Sequence, residues 1–142
     1  MKEKRPDLRV FTWIRPYLAR WGMYRVLVVD DEKLEREGIR FLLSMEEGEW
    51  EIYEAANGKL ALNELRKHPV DLMLTDIKMP HMDGLEATRL IRSYSKEVPI
   101  VALTAFAFES DKDRAIEAGC DDCLTKPVSQ NALEKVLDKY VK

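Results

Sequence analysis

The chain has 142 residues, 46% of them apolar and 35% charged. That is enough to bury one good core and too little for a second catalytic or DNA-binding domain. A formal net charge of −3 and a pI near 5.5 argue against a nucleic-acid partner, because backbone binders need a clustered basic face to displace counterions. Two cysteines, Cys120 and Cys123, are too few for a disulfide scaffold and fit a reducing, cytoplasmic setting.

Residues 1–22 differ from the rest. Six Lys or Arg against Glu3 and Asp7 leave this stretch at +4, so the remaining residues sum to −7. Val10, Ile14, Tyr17, Leu18 and Trp21 recur at helical spacing, while Pro16 would break or kink a continuous helix. Arg15, Pro16 and Arg20 interrupt every apolar run before it reaches the length of a signal-peptide core or a membrane span. Three readings compete: a segment for a partner or membrane surface, the tail of an upstream domain or linker, or a consequence of start-site choice, since Met23-Tyr24-Arg25-Val26 is itself a natural beginning. The stretch 1–22 is therefore read as an extension and 23–142 as the domain.

From Tyr24 onward, short apolar runs alternate with segments of helical period. Arg25–Val29 is a β-rich run ending at Asp30 and Asp31, as a buried parallel strand would be. The segment from Glu32 to about Met45 places Leu34, Phe41, Leu42 and Met45 on one face of an amphipathic helix. Glu51–Ala55 is a weaker strand running to the turn signal Asn57-Gly58, and a helix through Leu60, Leu62 and Leu65 stops before His68-Pro69. Val70–Thr75 is a third strand, ending at Asp76. A loop with Pro80 and Asp83-Gly84 leads to a helix with Leu85, Leu90 and Ile91 inward. Pro99–Leu103, ending at Thr104, is the most apolar strand, and the helix after it runs through Ala115 and Ile116 to a capping Gly119. A short strand over Asp122–Thr125 meets Lys126-Pro127, and Ser129 caps a last helix whose stripe is Ala132, Leu133, Val136, Leu137 and Tyr140.

Five strands alternating with five helices imply a doubly wound α/β fold, because parallel strands need crossover connections. Ligands in such sheets bind at the carboxyl ends of the strands, near the point where strand order reverses. Asp30 and Asp31 end the first strand, Asp76 the third, Thr104 the fourth and Lys126 the fifth. Three carboxylates at one sheet edge repel each other unless a cation joins them, and oxygen ligands of this kind suit Mg²⁺. With a lysine and a hydroxyl donor beside them, the set suits a phosphoryl group, with one carboxylate as nucleophile. Any one of these residues alone would read as a helix cap or a solvated loop residue. Five such residues at the ends of four strands are hard to obtain by capping.

These residues also carry a resemblance. Val28-Val29-Asp30-Asp31-Glu32, Leu74-Thr75-Asp76-Ile77-Lys78-Met79-Pro80 with Met82-Asp83-Gly84, Ala102-Leu103-Thr104-Ala105, and Lys126-Pro127 form an ordered series that resembles the motifs of bacterial two-component response-regulator receiver domains over residues 23–142. The resemblance implies a flavodoxin-like fold with strand order 2-1-3-4-5, and Asp76 receiving a phosphoryl group from a sensor histidine kinase or phosphotransfer protein. It implies Mg²⁺ held directly by Asp31 and Asp76, by Asp30 through water and by the backbone carbonyl of Lys78. Lys126 would pair with a phosphoryl oxygen and precede a cis bond at Pro127. Thr104 would swing toward the phosphoryl group and couple it to the surface of the fourth helix, fifth strand and fifth helix. The downstream effector is not named by the sequence, and a phosphorylation-dependent homodimer is among the assemblies the resemblance implies. Catalysis in the conventional sense is not expected, beyond self-phosphorylation from a phosphodonor and autodephosphorylation.

Two departures stand out. The family usually carries Tyr or Phe three residues before the lysine, where this chain has Cys123, and a small soft side chain cannot make the same rotamer switch. Phe106 and Phe108 are candidate substitutes as relay. Lys78 and Phe106, two residues after Asp76 and Thr104, flank the route of the hydrolytic water in this family. Cys120 and Cys123 form C-x-x-C, but zinc would lack partners, since His68 and His81 are distant in sequence. Residues so spaced near a strand tend to point to opposite faces, which disfavours a disulfide. Two ordinary, partly buried thiols are expected. Against the signalling module stand a phosphorylation-independent scaffold, supported only by Cys123, and an aspartyl-phosphate phosphohydrolase, disfavoured by Lys78 where a second acid is typical.

Overall fold

A computed structural model describes residues 22–105 and 109–142 of the chain. Ten elements follow in strict alternation: β1 (Met23–Val29), α1 (Lys33–Ser44), β2 (Glu49–Ala55), α2 (Gly58–Lys67), β3 (Leu72–Asp76), α3 (Gly84–Arg92), β4 (Ile100–Thr104), α4 (Glu109–Ala118), β5 (Asp122–Thr125) and α5 (Gln130–Tyr140). All strands pair in parallel, in the order β2-β1-β3-β4-β5. The fold is the flavodoxin-like doubly wound sheet, with its order reversing between β1 and β3.

Side chains alternate across each strand and so build two cores. Val26, Val28, Leu72, Leu74, Val101 and Leu103 pack with Ile39 and Leu43 of α1 and Leu133, Val136 and Leu137 of α5. On the opposite face, Leu27, Val29, Met73, Ile100 and Ala102 meet α2, α3 and α4. The central strands are apolar on both faces because both are covered, which explains their continuous hydrophobic runs.

Element limits agree with the sequence pattern to within about two residues, and several ends have visible causes. Asn57 is not a turn residue but the N-cap of α2, its side chain accepting from the Leu60 amide at 2.9 Å. Asp83 and Ser129 cap α3 and α5 in the same way, accepting from the Glu86 and Ala132 amides. Gly119 follows α4 at φ +112°, a conformation open to glycine at no cost.

Helix α1 overturns the expected face. Leu34 is 79% exposed, Phe41 65% and Met45 60%, while the buried residues are Ile39 and Leu43; Leu42 is half-buried against the same core. The helix carries two apolar stripes, and the sheet takes the β-branched and leucine one. Leu60 and Ile116, in the second and fourth helices, are 45% and 47% exposed. The cysteines differ from expectation too. Cys120 lies in the core on the α2–α4 side, and Cys123 packs against that same core. Cys120 precedes β5, so strand alternation does not apply to it. Both are free thiols, and burial pushes both up from the ordinary thiol value.

Candidate functional site

Register alone gathers the predicted residues. Val29 pairs with Thr75, so Asp30 and Asp76 leave neighbouring strands side by side. Asp76 is level with Leu103, which puts Thr104 one step beyond, and Thr104 is level with Thr125, which puts Lys126 next. The β5 exit is held by the Lys126 amide donating to the Thr104 carbonyl at 2.7 Å, and the Lys126-Pro127 bond is cis.

Asp30, Asp31 and Asp76 each offer a carboxylate oxygen, and these atoms lie within 4.8 Å of one another. Asp30 is buried, Asp76 half-buried and Asp31 exposed, so the cluster opens to solvent on one side. Lys126 Nζ reaches across it, 2.8 Å from Asp30 Oδ2 and 3.4 Å from Asp76 Oδ1. Burial raises the Asp76 carboxyl above its ordinary value; Lys126 opposes this and Asp30 reinforces it. Burial also lowers the Lys126 ammonium, but its hydrogen bond to Asp30 and the pull of Asp76 outweigh it and leave the value raised. One ammonium among three carboxylates leaves excess negative charge, which a hard divalent cation would offset. The all-oxygen donor set fits Mg²⁺, and among the described residues no other cluster of His, Cys, Asp or Glu fits a metal.

Local structure aims these groups. The Asp30 side chain accepts from the Glu32 amide at 3.0 Å, and Asp76 Oδ1 from the Ile77 amide at 2.9 Å. Thr104 is buried at 7% exposure, whereas Lys78 is exposed in the loop after β3. Gly84 lets α3 start against the end of β3: a Cβ there would lie 2.1 Å from the Asp76 carbonyl oxygen. One positioning residue has no signal in the apolar pattern. Arg36 donates to the Asp30 carbonyl at 2.8 Å and pairs with Glu54 at 3.1 Å, holding the turn between β1 and α1. Nothing marks Arg36 in the chain except its separation of six residues from Asp30.

Cys123 is level with Ala102, on the face of β4 that also carries Thr104 two residues later, and it is half-buried. A thiol thus stands where the resemblance leads one to expect an aromatic ring. Phe106 and Phe108, the candidate substitutes, lie outside the described residues, as does the amphipathic segment 8–22 except for Gly22.

The response regulator receiver domain family matches residues 26–138. The chain is 42% identical over 120 residues to the two-component response regulator ORR41 of Oryza sativa, covering 83% of this chain and 94% of that protein. It is 39% identical over 117 residues to the sensor histidine kinase RcsC of Salmonella typhi, covering 81% of this chain but 12% of the kinase. Among solved structures, it is similar to the receiver domain of sensor histidine kinase PA1611 from Pseudomonas aeruginosa, which holds a magnesium ion in its active-site cleft. The TM-score is 0.74 at 31% identity, over 82% of this chain and 96% of that one. The receiver domain of Ssk1 from Saccharomyces cerevisiae, crystallised with the histidine phosphotransfer protein Ypd1, is similar at TM-score 0.74 and 31% identity, over 82% of this chain and 88% of that one. Plant and yeast relatives remove the bacterial restriction from the resemblance.

Proposed function

We propose, from the premise that this chain belongs to the response regulator receiver domain family, that Asp76 is its phosphoryl acceptor. Receiver domains act in two-component signalling; the assignment of residues is our own. The observation that carries it is the single ammonium of Lys126 spanning Asp30 and Asp76 inside a three-carboxylate cluster. An Asp76 oxygen attacks the phosphorus of a phosphohistidine on a sensor kinase or phosphotransfer protein. The new O–P bond forms as the N–P bond breaks, and its electron pair returns to the imidazole. Mg²⁺, held by Asp31, Asp76, the Lys78 carbonyl and, through water, Asp30, would supply charge neutralisation at the phosphoryl oxygens. Lys126 turns to a phosphoryl oxygen, and the Thr104 hydroxyl donates to another.

The receiver unit is residues 23–142, with 1–22 appended, and the setting is cytoplasmic. Among the described residues no helix is long and apolar enough to cross a membrane. Output runs through the surface of α4, β5 and α5, where phosphorylation biases two conformations that the phosphoryl group contacts differently, a homodimer among the assemblies it would favour. Cys123 favours a second reading, a phosphorylation-independent scaffold. Incubation with acetyl phosphate and Mg²⁺, read by intact mass, decides between them. Gain of one phosphoryl group, lost in Asp76→Asn, supports the acceptor, and no gain in the wild type supports the scaffold.

A further inference from the structure

Asp30 is held at four points. Its amide donates to the Ala55 carbonyl at 3.0 Å, its Oδ1 accepts from the Glu32 amide at 3.0 Å, and its Oδ2 accepts from Lys126 at 2.8 Å. The fourth contact falls on the backbone, where the Asp30 carbonyl accepts from Arg36 Nη1 at 2.8 Å. That carbonyl belongs to the peptide group that leads into Asp31. Because a peptide group is planar, whatever holds its oxygen also fixes the direction in which the Asp31 amide and Cα leave. Asp31 is exposed, so its carboxylate depends on the backbone for its aim. Arg36 therefore acts on the solvent-facing carboxylate as well as on the buried one.

The guanidinium is itself fixed. Arg36 Nε donates to Glu54 Oε1 at 3.1 Å. The other Glu54 oxygen accepts from Arg40 Nη2 at 3.0 Å, and the same nitrogen donates to the Ile52 carbonyl at 3.3 Å. Two cations of α1 thus share one carboxylate of β2, and Arg36 is the one of the pair that goes on to the Asp30 carbonyl. A planar fork with donors on separate nitrogens serves both partners at once, whereas an ammonium on a flexible stem is a single point of charge.

We infer that Arg36, locked by Glu54, is a positioning residue that sets Mg²⁺ affinity at the acidic cluster by holding the peptide between Asp30 and Asp31. The inference rests on Asp30, Asp31 and Asp76 as the Mg²⁺ site, and it fixes a sign. By Coulomb repulsion alone, a guanidinium so close to the cluster weakens cation binding, and its removal tightens the site. Positioning gives the opposite result, since loss of a hydrogen-bonded partner behind a metal ligand usually weakens affinity by about 10- to 100-fold.

Mg²⁺ titrated into the full chain and followed by amide chemical shifts gives the dissociation constant with no phosphodonor present. Arg36→Met keeps the aliphatic stem and removes the donors, and its thermal midpoint without metal reports that the fold is kept. Its dissociation constant is expected to rise about tenfold. Arg36→Lys keeps both stem and charge but not the fork, so a rise of about threefold or more is expected there too, and it carries the test if the Met variant does not fold. Arg40→Met removes the same charge from the same Glu54 partner and is expected to stay within about twofold of the wild type or to bind slightly tighter. Leu43→Ala destabilises α1 from its buried side and is expected to stay within about twofold, which separates positioning from loss of stability. A rise below about threefold at Arg36, a tighter site, or an equal rise in Arg40→Met or Leu43→Ala overturns the inference. A wild type whose shifts do not respond to Mg²⁺ is a different result: it removes the metal site and the inference with it, whereas binding that the Arg36 variants leave unchanged removes the role of Arg36 alone.

Discussion

Helices α1 and α5 lie on the same face of the sheet and share one core, yet they are built to different demands. The stripe of α5 is buried where periodicity puts it, at Leu133, Val136 and Leu137, and its start is capped by Ser129, whose side chain accepts from the Ala132 amide at 3.1 Å. Helix α1 has two apolar stripes and buries the Ile39 and Leu43 one. It starts at Glu32, which makes no side-chain cap; two residues earlier, Asp30 accepts from the Glu32 amide with one carboxylate oxygen and from Lys126 with the other. A helix beside a charged site gives up local optimisation at its start and keeps an apolar face outside. A helix with no such duty follows the propensity rules throughout.

Truncation in the shared core should have the largest effect. Leu43→Ala in α1 and Leu137→Ala in α5, both at fully buried positions, should each cost about 2–5 kcal/mol by urea unfolding, the usual range for a leucine truncated in a core. A loss below about 1 kcal/mol for Leu43 would mean that α1 is anchored by something other than its inner stripe. At the helix starts, Ser129→Ala should cost about 1 kcal/mol, while Glu32→Ala stays within about 0.5 kcal/mol, as surface substitutions do; equal losses would erase the distinction.

Asp76→Asn probes the charged site beside α1. The Asp76 carboxyl is raised in the folded state, mainly by burial, so its contribution to stability is full below the ordinary carboxylate range and is lost as pH rises through the folded value. Metal-free Asp76→Asn should therefore melt higher than the wild type at neutral pH, by a rise on the order of 2–4 °C, with the difference shrinking as pH falls below that range. Differential scanning calorimetry in a chelator checks it, and a lower melting point for the variant would show that Lys126 outweighs burial. The smallest effect is expected at Phe41→Ser, whose side chain is 65% exposed: a change in unfolding free energy within about 0.5 kcal/mol.

Much of the molecule is legible in the chain alone. Alternation of apolar runs with helical periods carried the element order, because crossover connections leave a parallel sheet few alternatives. The strand-end positions of Asp30, Asp76, Thr104 and Lys126 were legible because residues at the ends of parallel strands share one edge whatever the details of packing. The inward face of α1 was not, since two stripes of similar hydrophobicity satisfy the same period and only the shape of the neighbouring strands selects between them. Arg36 was hidden for a related reason: its partners, the Asp30 carbonyl and Glu54, come together through the turn and β2, not through helical spacing. The packing of Cys120 and Cys123 on one core depends on where β5 begins, a boundary that spacing does not mark.

The sequence by itself determined the kind of chain this is: a doubly wound α/β domain of the receiver family with its polar residues at one sheet edge, because hydrophobic period and strand-end chemistry are local properties. The tertiary structure decided what those residues have to work with. It set Lys126 between Asp30 and Asp76, half-buried Asp76 so that its charge is costly, and turned Leu34, Phe41 and Met45 to solvent. These outcomes depend on distances and burial across elements far apart in the chain, which no local pattern encodes.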